Sequence, residues 1–259
     1  MFELTGRVAL VTGAGTDDKG LAGGRIGFGI AQTLASQGAV VAVNDINPLW
    51  AQAAVDAIIG QGGKAIVAAF DITDAHAVDE AFSKIREAVG PVDILVNNAG
   101  LYGAKQMTTT PFADMDPSTW TIPVNINLWG GLNCVRAALP EMKAAGWGRI
   151  VYISSEAGRM GFPVNISMYG AAKAAGAHFM RHLAHEVGKM GITCNIISTG
   201  LIEGSAPPEI DQMVLATIPA RRLGRRSDIG AAVAFFASNE AEWINGQTLP
   251  VEGGMNTFN

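Results

Sequence analysis

The sequence predicts an α/β protein, folded as one doubly wound domain over residues 1–259 around a mostly parallel sheet of seven strands. Three observations predict it. Short apolar runs rich in β-branched residues alternate with longer segments of helical apolar spacing, the rhythm of parallel βαβ units. The first such run stops at glycines and leads into a helix, the order of a nucleotide-binding loop. With 49% hydrophobic and 16% charged residues in 259, the chain can bury both faces of such a sheet.

The elements follow in order. Residues 7–12 (RVALVT) form a short strand that ends at glycines, and 27–37 (GFGIAQTLASQ) carry helical apolar spacing. Residues 40–44 are a second buried strand closing at Asp45, followed by a helix at 48–59. A third strand, 65–70, ends at Asp71; an amphipathic helix covers 75–89, and a fourth strand, 94–96, runs into Asn97-Asn98-Ala99-Gly100. Residues 118–145 read as a long helix interrupted at Gly130-Gly131, then comes a strand at 149–153. A helix carries Tyr169 to about residue 190, with a strand after it at 193–197. Residues 200–219 are rich in Gly, Pro and small residues without a period, and at that length suit a functional lid better than a connection. A helix at 227–238 and a strand at 247–251 complete the chain.

Charge and cysteines narrow the function classes. A net charge of −5 and no basic cluster beyond the Arg221-Arg222 and Arg225-Arg226 pairs argue against a nucleic-acid partner. No apolar stretch reaches 18 residues and the N-terminus lacks an export pattern, so a membrane span is not expected. Cys134 and Cys194 stand alone in apolar runs without metal-ligand spacing, which fits reduced thiols and a cytoplasmic location. Of the four histidines, 178, 182 and 185 share one helix, yet no carboxylate completes a metal site and none is expected.

The stretch SSEAGRMGFPVNISMYGAAK, residues 154–173, holds the chemistry. Tyr169 and Lys173 stand at i and i+4, on one helix face, where a fixed ammonium favours the phenolate. Bringing a phenol from about 10 to near neutrality takes about 4 kcal/mol, more than one lysine supplies, and a second positive charge such as an oxidised nicotinamide would close the gap. At the first loop, Gly13 and Gly15 suit pyrophosphate at a helix start. Asp45 is placed to accept hydrogen bonds from ribose hydroxyls and to repel a 2′-phosphate, which favours NAD over NADP. Arg25 and Lys19 supply the opposing case, since the long loop could turn either toward the ribose.

These residues together resemble the short-chain dehydrogenase/reductase family over nearly the whole chain, which implies a Rossmann-type fold and a nicotinamide cofactor. Thr12-Gly13-Ala14-Gly15 and Ile26-Gly27 look like its cofactor motif, Asp71 like the acid contacting adenine, and Asn97-Asn98-Ala99-Gly100 like its signature after strand four. Asn127 looks like its helix-bend asparagine, Ser155 like its catalytic serine in preference to Ser154, and Tyr169 and Lys173 like its catalytic pair. The resemblance implies that Ser155 bonds the substrate oxygen, Tyr169 exchanges its proton, Lys173 lowers the tyrosine pKa and binds ribose, and Asn127 holds a water beside Lys173. Cofactor contacts are expected from Gly13, Gly15, Arg25, Ile26, Gly27, Asp45, Asp71, Ile72, Asn98, Ala99, Gly100, Thr199, Gly200 and Ile202 as well as the catalytic pair.

This chain departs from that pattern in its first loop. Gly13 and Gly27 are fourteen residues apart, Arg25 takes the middle glycine's place, and the insertion 16–24 is expected to be mobile without cofactor. With NAD bound, Arg25 would face the pyrophosphate or clamp Asp17 or Asp18; the alternative is a surface excursion pointing away from the cofactor, since long surface loops cost little. A lengthened loop before Gly-x-Gly-Ile-Ala also resembles the enoyl-thioester reductase branch, although that branch spaces Tyr and Lys more widely. Thr199-Gly200 stands where Pro-Gly is usual, offering an N–H and a hydroxyl to the nicotinamide carboxamide.

The implied function is an NAD-dependent dehydrogenase or reductase acting on a secondary alcohol or ketone, a sugar, polyol or cyclic alcohol among them. The alternatives are an NADPH-dependent 3-oxoacyl-thioester reductase and a non-catalytic nucleotide-sensing scaffold. The substrate pocket is expected to draw on Tyr102, Met107, Glu156, Met160, Phe162, Leu201, Ile202 and Glu203. Trp129, Leu132, Val135, Phe179 and Leu183 on the two long helices suggest a homotetramer.

Overall fold

The computed structural model describes residues 1–17, 25–101, 109–204 and 214–257. Seven strands form one sheet in the order β3-β2-β1-β4-β5-β6-β7, and every pairing is parallel. They are β1 (Val8–Val11), β2 (Val40–Asp45), β3 (Lys64–Ala69), β4 (Ile94–Asn97), β5 (Gly148–Ser155), β6 (Ile192–Thr199) and β7 (Thr248–Val251). The helices are α1 (Ile26–Ser36), α2 (Pro48–Gly60), α3 (Ala75–Val89), α4 (Thr121–Val124), α5 (Gly130–Ala145), α6 (Ser167–Val187) and α7 (Arg226–Ala237).

Alternation within the strands builds two cores. Ala9 and Val11 of β1 face a layer made by α1, α2 and α7, where Phe28, Leu34, Val55 and Val233 are buried. Val8 and Leu10 face the other layer, where Phe82, Val135 and Leu183 of α3, α5 and α6 pack. Because helices cover both faces, the strands read as continuous apolar runs rather than alternating ones. The strand order reverses between β1 and β4, and the crevice beyond their C-terminal ends is where a doubly wound sheet takes a ligand.

The long helix expected at 118–145 is broken earlier than its glycines suggest. After α4 the chain makes one π-helical turn, Asn125–Trp129, before α5 begins at Gly130. The turn releases the Asn127 carbonyl from the helical ladder, and the buried Tyr152 hydroxyl donates to it at 2.7 Å. The Gly130-Gly131 pair serves close approach instead: a Cβ at Gly130 would lie 2.5 Å from the Ile72 Cδ1. Of the apolar residues assigned to self-association, Val135 and Leu183 are 2% and 4% exposed and belong to the protein's own core, while Trp129 stays 53% exposed. Residues 102–108, with Tyr102 and Met107, lie outside the described residues, as do 18–24 of the insertion and 205–213 of the expected lid. No described helix is long and apolar enough to cross a membrane.

Candidate active site

The turn after β1 is held by side chains rather than by its own backbone. The Thr12 hydroxyl accepts from the amides of Asn98 and Ala99, both at 3.0 Å, while Asn98 Nδ2 donates to the carbonyls of Thr12 at 2.8 Å and Gly13 at 3.1 Å. Asn44, buried in β2, accepts from the Gly13 amide at 3.2 Å and donates to the carbonyls of Ala68 and Phe70. The ends of β1, β2, β3 and β4 are thereby fixed to one another. Gly13 has φ +62, and a Cβ there would come within 2.8 Å of the Ala99 Cα. A Cβ at Gly27 would strike the Gly13 carbonyl and the Asn98 amide, so β1, β4 and the start of α1 meet at contact distance through glycine alone.

Asp45 ends β2 and is 7% exposed, accepting from the Asn47 amide at 3.0 Å. A Cβ at Gly15 would lie 2.6 Å from its Oδ2, so only glycine lets the loop pack directly against this carboxylate. Arg25 meets Asp17 at 3.4 Å and lies over the Trp50 ring, 4.3 Å from its centroid. The clamp onto Asp17 is therefore present, and Thr16 is tied to α2 by its amide donating to the Trp50 carbonyl at 3.0 Å. Asp71 accepts from the Thr73 amide and hydroxyl, both at 2.8 Å, and Ile72 packs on Gly130. Arg25, Ile26 and Gly27 open α1, whose first turn holds no acidic residue to oppose a phosphate.

At the other end of the crevice the catalytic candidates converge. Ser155 ends β5 and caps a 3₁₀ turn, Glu156–Gly158, by accepting from the Ala157 amide at 3.2 Å. Ser154 turns the other way, donating to the Lys173 carbonyl at 3.3 Å within the buried interior. Lys173 is 4% exposed, donates from Nζ to the Ile153 carbonyl at 2.9 Å, and lies 5.9 Å from the Tyr169 ring centroid. Gly100 completes the cradle: a Cβ there would lie 2.7 Å from Asn127 Oδ1 and 3.2 Å from Lys173 Nζ. That Asn127 oxygen is buried without a hydrogen-bond partner, while Nδ2 donates to the Pro123 carbonyl at 2.9 Å. A buried acceptor facing a lysine across a glycine is ready for a polar group.

Burial sets the ionisation here. Desolvation pushes the Tyr169 hydroxyl above its ordinary value, opposed by the Ser155 hydrogen bond, and brings Lys173 down to about 8. Burial is the larger influence on Tyr169, so in the protein alone its hydroxyl is raised rather than lowered. Cys134 and Cys194 are buried thiols pushed up to about 12, chemically quiet.

Several of the expected lining residues have fixed partners within the protein. Glu156 does not face the crevice: it is 2% exposed and accepts from Ser198, Arg159 and Asn256. The Thr199 hydroxyl donates to the Ser154 carbonyl at 3.3 Å, and the Gly200 amide to the Val251 carbonyl at 3.1 Å. Ile202 is 2% exposed and bridges to Gly224, packing the base of the expected lid. Sequence reasoning passed over Thr12 and Asn44 as holders of the loop and Tyr152 as the partner of the bent helix. A tyrosine inside an apolar strand is a usable signal, because its buried hydroxyl must find an acceptor. Among the described residues no group of three or more His, Cys, Asp or Glu could hold a metal ion.

These features fit a nicotinamide dinucleotide: a glycine-lined helix start, a carboxylate at the end of β2 against Gly15 and a cradle at Gly100 with an orphaned acceptor. Comparison with known proteins agrees with that fit. Residues 20–256 match a family model described as Enoyl-(Acyl carrier protein) reductase. The chain is 38% identical over 254 residues to 3-oxoacyl-(acyl-carrier-protein) reductase FabG of Escherichia coli (strain K12), covering 96% of this chain and 97% of that one. A structure of 7 alpha-hydroxysteroid dehydrogenase complexed with NADH and 7-oxo glycochenodeoxycholic acid superposes with TM-score 0.87 at 35% identity, covering 98% and 95% of the two chains. Gluconate 5-dehydrogenase from Burkholderia cenocepacia J2315, in complex with NADP and tartrate, gives TM-score 0.87 at 30% identity, covering 98% and 96%.

Proposed function

The chain belongs to the short-chain dehydrogenase/reductase family, and from that premise we propose an NAD(H)-dependent oxidoreductase that interconverts a secondary alcohol and its ketone. The observation that carries the chemistry is the convergence of Ser155 at the end of β5 and Tyr169 on α6 with buried Lys173, whose Nζ is fixed on the Ile153 carbonyl. When bound, the nicotinamide supplies the hydride chemistry. Ser155 and Tyr169 hold the reacting oxygen between their hydroxyls. In reduction Tyr169, kept protonated by burial, gives its proton to that oxygen; in oxidation it takes the proton from the alcohol. Lys173, fixed on the Ile153 carbonyl, orients the helix face and its ammonium favours the phenolate form that oxidation needs. Cyclic alcohols, sugars and polyols are the substrate classes proposed.

The choice of NAD rests on Asp45, half enclosed by Gly15 at the end of β2, where a 2′-phosphate would meet a carboxylate. The second reading, an NADPH-dependent 3-oxoacyl-thioester reductase, is favoured by Arg25, which lies over Trp50 at the same end of the crevice. A non-catalytic scaffold would need no intact Ser-Tyr-Lys set. A purified-enzyme screen of alcohols, sugars and ketones with NAD and NADP in parallel, read by absorbance of reduced nicotinamide, separates the three. NAD-linked oxidation of a secondary alcohol is the expected result; faster turnover with NADP(H) on acyl thioesters would select the second reading, and silence across the panel the third. A cytoplasmic homotetramer completes the proposal, with exposed Trp129 and Ile122 beside the bent helix as surface to be covered. A monomer mass in light scattering at micromolar concentration would refute it.

A further inference from the structure

Glu156 is a carboxylate with almost no solvent contact, one residue beyond the catalytic serine. Such a charge is costly unless every oxygen is satisfied. Its Oε1 accepts from the Ser198 hydroxyl at 2.6 Å and from Arg159 Nη1 at 3.1 Å; its Oε2 accepts from Arg159 at 3.3 Å and from Asn256 Nδ2 at 3.1 Å. Asn256 also donates to Glu252, from Nδ2 at 2.8 Å and from its backbone amide at 2.7 Å. One side-chain amide thus divides its two hydrogens between two carboxylates, which only an NH₂ group can do.

The consequence lies in what Glu156 stands on. It opens the 3₁₀ turn that Ser155 caps, and that turn lies flush on α6: a Cβ at Gly158 would come within 3.0 Å of the Ala174 amide, and one at Gly170 within 2.6 Å of the Ala157 carbonyl. The C-terminal segment is itself anchored, since the Ala220 amide donates to the Gly253 carbonyl at 3.0 Å. We propose that Glu156 and Asn256 are positioning residues, through which the C-terminal segment holds the turn that presents Ser155 to Tyr169. The inference rests on the catalytic reading of Ser155 given above.

The test compares full-length wild type with Asn256→Ala and Asn256→Asp. In Asn256→Ala, kcat should fall about tenfold through displacement of the serine, with KM and NAD affinity within a factor of about two. Asn256→Asp places a third carboxylate in the cluster, so its kcat relative to wild type should be lowest at alkaline pH and recover toward pH 5, where the acid can again donate. Hydrogen exchange at the Ala157 amide, which needs no substrate, should speed up in Asn256→Ala while the exchange of β1 and β4 is unchanged. Unaltered exchange at Ala157, or a kcat loss matched by equal losses in NAD affinity and melting temperature, would overturn the assignment. A wild type inactive on every substrate would sink the proposed function and leave the exchange measurement to decide this one.

Discussion

At one end of the crevice Lys173 is 4% exposed and lies beside half-buried Tyr169; at the other, Arg25 and Asp17 meet at 3.4 Å with 21% and 37% of their side chains exposed. Both ends use opposite or developing charges. Enclosure decides how much those charges are worth: a desolvated ammonium has its pKa moved to about 8, whereas an exposed ion pair contributes little and is screened by salt. The catalytic end is also fixed by shared bonds, with Lys173 tied to β5 and Tyr152 to the bent helix. Chemistry should therefore respond steeply to substitution at the enclosed end, and cofactor choice gradually at the open one.

The largest expected effect breaks the enclosed end directly. Tyr169→Phe keeps the ring and deletes the proton, so turnover should drop by about 10³-fold while the NAD dissociation constant, measured by calorimetry, stays within a factor of about two. Turnover near wild type would remove Tyr169 from the mechanism.

Lys173→Met tests enclosure as a cost in stability. Folded Lys173 gives up its proton at about 8, against an ordinary 10.5 in the unfolded chain, so between those values the unfolded state binds more protons and stability rises with pH. Below pH 8 the burial cost is present in full, about 3 kcal/mol. After about 1 kcal/mol for the lost bond to Ile153, the variant should be about 2 kcal/mol more stable than wild type at pH 7. That advantage should fade toward pH 10 in denaturant titrations, and its absence at pH 7 would show that Lys173 is solvated better than its position indicates.

Two smaller effects sharpen the open end. Asp45→Ala should narrow the preference for NAD over NADP by about tenfold, or 1.4 kcal/mol, as read from paired dissociation constants. Wild type that already binds NADP more tightly would overturn the role of Asp45. Asp17→Asn releases an exposed partner of Arg25 and should tighten NADP by no more than about twofold, within 0.5 kcal/mol. A tenfold gain there would mean that Arg25 reads the 2′-phosphate.

The same contrast explains what could be read from the chain. Val8–Val11 and its sister strands announce themselves because two helical layers demand apolar residues on both faces. Tyr169 and Lys173 are legible because their relation is local, one helical turn apart. The π turn at Asn127 is not local: it depends on Tyr152, 25 residues away, taking a carbonyl that helical spacing alone would leave in the ladder. Glu156 is harder still, since its direction is settled by Asn256, 100 residues on, and an acidic residue after a catalytic serine looks like pocket lining until that partner is seen. Arg25 over Trp50 is a meeting of the start of α1 with the first turn of α2, with no periodicity to signal it.

The account stands most directly on one transfer. A secondary alcohol found in the screen, labelled with deuterium at its carbinol carbon, is incubated with wild-type enzyme and NAD, and the reduced cofactor is analysed by mass spectrometry. The account predicts that the label moves from the alcohol to the nicotinamide ring in wild type and that Tyr169→Phe, though it binds NAD, transfers almost none. Label that stays on the alcohol in wild type, or moves as readily in Tyr169→Phe, would contradict it.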